Sequence, residues 1–296
     1  MSRRLGILLA YLAIYGGVVL YHYVIKNSPW PNSAALFIGL PALLAILVAQ
    51  IPTKSVTSSV LVALTLVLLL AVPILREGTV CVIMAAPLMY AVVGVIGLLI
   101  DWISSRSDRL NASIAAVILS SILSLEGVVE AATFDRHEEV VTTRLVTGQP
   151  AAVMARFTAD PVIPANLPKL FEIGFPRPYE FHKDGIEIGS RFSLSFIKND
   201  KVKAITYELT EATQDRLVFT VVADKTALTK WMYLRKTMFT FAPATDGRTQ
   251  VTCAISFERK LDPAWYFVPV MRYAIGLVGE MLLDHFETGP TLVGST

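Results

Sequence analysis

Cysteine is nearly absent from this 296-residue chain. Cys81 lies in a long apolar run and Cys253 in an alternating stretch far downstream, so no disulfide framework holds the fold together. Histidine is almost as scarce: His22, His137, His182 and His285 stand far apart, and none has metal-ligand spacing. There is no G-x-S-x-G, H-E-x-x-H, C-x-x-C, Walker loop or G-x-G-x-x-G. The residues therefore imply no metal and no cofactor. Charge is thin as well, at 17% of residues with a formal net of +2. Such a balance argues against a dedicated nucleic-acid surface.

What the chain has in quantity is apolar side chains, 54% of its residues, and a mean hydropathy of +0.56. The charges divide it in two. Residues 1–133 hold 7 Lys/Arg and 5 Asp/Glu, whereas residues 134–296 hold 19 of each. The expected organisation is a transmembrane domain over 1–133 and a water-facing domain over 134–296. Uncharged runs place spans at about 5–25, 34–51, 56–75 and 80–100, each long enough or nearly so for a hydrocarbon core of about 30 Å. A fifth is expected at 110–132, with Glu126 and Glu130 near its exit; the alternative is a connecting helix. Four or five transmembrane helices are thus expected.

Arg3, Arg4, Lys54, Arg106 and Arg109 fall on one side under this alternation, and Lys26 and Arg76 on the other. The excess puts the N-terminus in the cytoplasm of what reads as a bacterial inner-membrane protein. Five spans place the second domain outside the cytoplasm; four keep it inside. His22 and Asp101 sit at span ends and form no relay, so anchoring rather than transport is expected.

The second domain opens with a strand, Val140–Val146, and a short helix from Gln149-Pro150 to Phe157 with proline at its start. Asp160 to Pro178 carries five prolines interleaved with Leu167, Leu170, Phe171, Ile173 and Phe175. It reads as a core-capping loop or as a lip over a ligand site. Gly185-Ile-Glu-Ile-Gly189 opens a strand with Phe192, Leu194 and Phe196 at every second position. Tyr207 and Leu209, then Leu217, Phe219 and Val221, continue the alternation; further strands follow at Trp231–Phe241 and Gln250–Phe257. Polar turns at Lys198–Lys201, Ala212–Asp215 and Ala244–Gly247 make this an antiparallel meander with one apolar face. Asp262-Pro263 is the expected N-cap and first position of a helix reaching about Phe286, which covers that face.

Several segments carry a family resemblance: Glu139-Val-Val-Thr-Thr-Arg-Leu-Val146, Gln149 to Phe157, and Gly185-Ile-Glu-Ile-Gly189. To these are added Tyr207-Glu-Leu-Thr-Glu-Ala212 with Arg216-Leu-Val-Phe219, and Phe241-Ala-Pro-Ala-Thr-Asp-Gly-Arg-Thr249. Over roughly residues 138–288 the chain resembles the START-like, polyketide cyclase-like (SRPBCC) helix-grip domains. That resemblance implies an α+β fold, an antiparallel sheet wrapped on a long C-terminal helix, and a hydrophobic or lipid-like ligand between them. The bilayer and that ligand are the partners expected, with no nucleic acid.

Ligand-binding candidates are inward residues of the meander and helix: Phe192, Tyr207, Phe219, Trp231, Phe239, Met271 and Ile275. Leu194, Phe196, Tyr233 and Met281 belong to the same apolar set. Arg191, Arg235, Glu208 and His182 are head-group or catalytic candidates if they point inward; on the outer face they are ordinary surface residues. A cyclase- or hydratase-like activity, or a sensory protein without a ligand, are the alternatives to a binding module.

Overall fold

The computed structural model describes residues 38, 55–75, 79–105, 109–158, 177–198 and 201–288. The expected spans 5–25 and 34–51, apart from Ile38, lie outside the described residues, as does the proline-rich stretch up to Pro176. The chain divides into two compact units. One comprises the described residues up to Asp135 together with Lys260–Phe267; the other comprises Arg136–Arg259 and the chain from Val268 onward.

The first unit is helical: α1 (Val56–Leu75), α2 (Thr79–Ser104) and α3 (Arg109–Leu123). Its core joins Val56, Val60 and Leu64 of α1 to Val93, Ile96 and Ile100 of α2 and to Ala116 and Val117 of α3. Asp101, near the end of α2, accepts hydrogen bonds at the start of α1. Val56 N–H donates to Oδ1 at 3.0 Å, Thr57 N–H to Oδ2 at 3.1 Å and Thr57 Oγ1 to Oδ2 at 2.7 Å. A carboxylate thus satisfies two N–H groups that have no partner inside their own helix. Gly97 lets the two helices close up, because a Cβ there would lie 2.8 Å from Thr57 Cα. Outward positions are apolar too: Val95, Leu98 and Trp102 on α2, and Ile118 and Ile122 on α3, are all exposed.

The expected fifth span, 110–132, is corrected at its C-terminal end. The α3 helix stops at Leu123 after 15 residues, roughly 22 Å against a hydrocarbon core of about 30 Å. A bent stretch and a 3-10 turn at Glu130–Ala132 follow it. Serine hydroxyls compete for the ladder here, Ser121 Oγ donating to Val117 O and Ser124 Oγ to Ser120 O. Among the described residues only Met84–Ser104 and Ala264–Asp284 are long and apolar enough to cross a membrane. Of the four or five transmembrane helices expected, those at 5–25 and 34–51, Ile38 apart, fall outside the described residues.

The second unit is a seven-stranded antiparallel sheet with a long helix, the helix-grip arrangement. Its strands are β1 (His137–Thr147), β2 (Arg177–Lys183), β3 (Arg191–Lys198), β4 (Lys201–Ala212), β5 (Arg216–Asp224), β6 (Met232–Pro243) and β7 (Arg248–Arg259). Their order across the sheet is β1-β7-β6-β5-β4-β3-β2, a meander closed by the return of β7 beside β1. Helix α4 (Pro150–Ala155), with Pro150 in its first turn, and a 3-10 turn at Arg156–Thr158 join β1 to the rest.

Two local expectations change. Ile186 and Ile188 do not open a strand: Asp184–Ser190 is the turn between β2 and β3, with both isoleucines exposed. Gly189, at φ 92°, sets the bend, and its N–H donates to Leu209 O at 2.8 Å. Conversely, Arg177–Lys183, partly read as proline-rich loop, is edge strand β2. Pro178 is tolerated there, next to a register shift at Pro178/Glu180.

The long helix α5 (Ala264–Thr288) starts differently from expectation. Pro263 O accepts the first helical bond, from Phe267 N–H at 3.1 Å, so Asp262 is not the N-cap. The carboxylate at this terminus belongs to Glu126, whose Oε1 accepts Ala264 N–H at 2.8 Å. Tyr266 Oη donates to Met84 O at 2.7 Å, in the turn before Pro87. Both bonds are internal to the helical unit. Further along, α5 lies on the sheet at β1. Arg272 pairs with Glu138, Arg144 with Glu280 and Asp284, and Gly279 sits against Thr142.

Candidate functional site

Directly opposed residues in an antiparallel pair share a face, so the register defines the concave side. Phe192 opposes Tyr207, which opposes Val221; Leu209 opposes Phe219, which opposes Thr237, then Ile255, then Val140. Leu217, Phe239, Cys253 and Thr142 form the next row. The α5 contacts at Glu138, Thr142 and Arg144 lie on this same face, so it is the one the helix grips.

The rings on it form a connected group. Phe192 and Phe219 meet edge to face at 5.0 Å, Phe219 and Phe239 at 6.1 Å, and Phe239 and Phe286 at 5.4 Å. Phe157, delivered by the 3-10 turn after α4, touches Phe192, Phe219, Phe239 and Phe286, with centroids 5.0 to 6.2 Å away. Arg156, next to it, ties this turn down by donating to Thr147 O at 2.7 Å and to Phe286 O. Offset and edge contacts of this kind are favourable for aromatic quadrupoles.

Of the seven residues expected from sequence, Phe192, Phe219 and Phe239 sit in this group, and Met271 and Ile275 are buried on α5. Tyr207 is half-buried on the same face. Burial pushes its phenol above the ordinary tyrosine range, and the charges of Asp224 and Cys253 add to that. Trp231 is buried just before β6, at the end of a 3-10 turn, rather than within the strand. Leu194 and Met281 are half-buried and Phe196 is buried, whereas Tyr233 is exposed.

The polar candidates separate cleanly. His182 is exposed and bonded to Asp184 Oδ1 at 3.0 Å. Arg191 is exposed, and Arg235 is exposed and paired with Glu258. Glu208 is half-buried opposite Arg191 and Thr220. These are positions of the outer face and its rim.

Sequence reasoning passed over Phe157, Phe241 and Phe286, which complete the ring group, and several buried polar groups. Burial pushes the Cys253 thiol up to about 12 against the opposing hydrogen bond from Thr142, with Glu280 adding to the rise. Asp224 Oδ1 accepts Thr226 N–H and Thr226 Oγ1, both at 2.7 Å. Arg259, Asp262 and Glu126 are also buried. A charged residue closing an apolar alternating strand, as Arg259 closes β7, was the available signal. Among the described residues no group of three or more His, Cys, Asp or Glu is arranged to hold a metal ion.

No protein-family model and no curated protein matches the chain. Among solved structures it is similar to a START superfamily protein from Mycobacterium smegmatis, at 15% identity and TM-score 0.34, over 50% of this chain and 94% of that one. It is also similar to a protein of unknown function from Staphylococcus aureus, at 16% identity and TM-score 0.34, over 51% of this chain and 92% of that one. A third similar structure is norcoclaurine synthase from Thalictrum flavum in complex with dopamine and hydroxybenzaldehyde, at 9% identity and TM-score 0.32, over 50% and 88%.

Proposed function

We propose that the chain is a membrane-anchored START-like module that takes up a hydrophobic or lipid-like ligand beside the bilayer. The observation that carries this reading is the connected aromatic group between sheet and helix, closed by Phe157 from a short turn rather than by a strand. An apolar surface of this kind binds through area and shape, with a few polar groups fixing orientation. Phe157 stands at the end of α4 and its 3-10 turn, held by backbone-directed bonds from Arg156. Such an element can move without breaking a sheet ladder.

Anchoring is supported by the outward apolar positions of α2 and α3 and by the short, charged join at Thr133–Glu139. Contacts inside the helical unit support one side of the membrane for the second domain. Asp101 marks one end of α2, while Met84, near the other end, accepts Tyr266. Glu126, after α3, accepts Ala264 N–H in the same short segment. On this reading α3 together with the bent stretch and 3-10 turn that follow it returns the chain from the Asp101 end to the Met84 end, and the second domain lies outside the cytoplasm.

The test of binding is titration of the full chain in a nonionic maltoside with the neutral apolar fluorophore N-phenyl-1-naphthylamine. Saturable fluorescence above that of empty micelles is expected; simple partitioning equal to the micelle blank would sink the reading. Paired alkaline-phosphatase and fluorescent-protein fusions at Thr296 read the side. Phosphatase activity is expected, and fluorescence alone would reverse the assignment.

A further inference from the structure

Asp224 ends β5 on the gripped face. It opposes Ile205, which is buried two positions along β4 from Tyr207. One carboxylate oxygen holds the chain that follows. Oδ1 accepts Thr226 N–H and Thr226 Oγ1, and the same hydroxyl then accepts Leu228 N–H at 3.2 Å to start the 3-10 turn. The other oxygen, Oδ2, is buried and accepts no hydrogen bond among the described residues. A turn needs only one oxygen, which serine or asparagine would supply as well. A carboxylate can only accept, so a second buried oxygen calls for a donor.

The surroundings narrow the kind of donor. Tyr207 follows Ile205, the residue Asp224 opposes, two positions along β4 on the same face, and its hydroxyl can donate or accept. Phe192 opposes Tyr207 across the strands and meets Phe219 edge to face. A carboxylate attracts a cation and disfavours an anion, and an aromatic face does likewise.

We propose that Asp224 Oδ2 and the Tyr207 hydroxyl form the polar end of the site and recognise an amphipathic ligand with an ammonium head. The ligand's apolar body lies against Phe192 and Phe219. This rests on the binding role proposed above and adds the charge of the ligand. A fatty acid or an acidic phospholipid would bring its negative head to a buried carboxylate and be rejected.

The experiment is displacement of N-phenyl-1-naphthylamine from the full chain in maltoside at pH 7, with octylammonium and octanoate as competitors of matched chain length. Octylammonium should displace the fluorophore at about a tenfold lower concentration than octanoate, as a charge-assisted hydrogen bond requires. Asp224→Asn and Asp224→Ser both keep an oxygen for the Thr226 turn. Each should bring the ratio near one. Tyr207→Phe should reduce the ratio in part. Octanoate displacing as well as octylammonium overturns the inference while leaving the apolar site standing, and so does a ratio that survives both Asp224 variants. If the fluorophore itself does not bind saturably, the binding role fails and this inference fails with it.

Discussion

Gly279 offers a sharp test of how α5 meets the sheet. A Cβ at this buried position would stand 3.0 Å from Thr142 Cγ2 and 3.3 Å from Thr142 Cβ, and closer still to its Oγ1. Thr142 is a β-branched residue inside β1, so rotating χ1 exchanges one clashing atom for another. Relief has to come from the helix moving off the strand. Gly276, one turn earlier, has only Val140 Cγ1 near it, at 4.0 Å, an ordinary contact.

Overpacking of this order costs about 1–3 kcal/mol, and replacing a mid-helix glycine by alanine returns about 1 kcal/mol. Gly279→Ala should therefore lose up to about 2 kcal/mol, whereas Gly276→Ala should gain up to about 1 kcal/mol. For a unit of this size that is a fall in Tm of up to about 6 °C against a rise of about 2 °C. Thermal melting of the full chain in detergent, followed by near-ultraviolet circular dichroism, measures both. Thr142→Ala added to Gly279→Ala removes Oγ1 and Cγ2 and should recover most of the loss, a coupling readable in a double-mutant cycle. If Gly279→Ala raised Tm as Gly276→Ala does, α5 could not be seated on β1 as described.

Three further outcomes are expected. Asp101→Ala leaves the Val56 and Thr57 N–H groups without their carboxylate and should cost about 1–2 kcal/mol by thermal melting, with Asp101→Asn milder; an unchanged Tm would contradict the cap. Glu126→Ala removes the acceptor of Ala264 N–H and should speed amide exchange in the first turn of α5 while leaving its later turns protected; uniform exchange along the helix would count against it. Alkaline pH should destabilise the second unit. Cys253 is raised from 9.0 to about 12, so the folded state holds its proton where the unfolded chain has released it. The stabilisation is full below pH 9 and is lost as pH rises toward about 12, with Tyr207 acting in the same direction. Cys253→Ala should flatten the fall of Tm that begins above pH 9, and an identical slope would refute the assignment.

Period-two patterning made β3 to β7 legible, because each strand has one buried face and its turns carry Asn, Asp and Gly. It misled at Ile186 and Ile188, where two alternating isoleucines belong to a turn whose backbone is held by Gly189 and Leu209. Strand β2 was hidden by Pro178, acceptable only because this strand lies at the sheet edge. The same limit applies to charges. Asp262-Pro263 has the local form of a helix start, but the carboxylate at that terminus comes from Glu126, 138 positions away.

In the site, the large rings stood out in the pattern because Phe192, Phe219 and Phe239 alternate within strands. Phe157 and Phe286 come from a short turn and a helix end, and only the curvature of the sheet joins them to the others. Asp224 was not among the residues the pattern singled out. Its place on the gripped face depends on the pairing of β4 with β5, including a shift at Thr206/Tyr207 that no local pattern announces. The outward direction of Arg191, Arg235 and His182 follows from the same register, which fixes the whole face once any one pair is known.

The central claim is that the gripped aromatic face holds an apolar ligand. Native mass spectrometry of the full chain, extracted from its own membrane and released from detergent in the gas phase, tests it most directly. A discrete adduct of one small molecule should accompany the wild-type chain and disappear on substitution of Phe219 by Ala in a variant that still melts cooperatively. A chain free of adducts, or one whose adducts are a statistical ladder of bulk lipids unaffected by Phe219→Ala, would contradict the account.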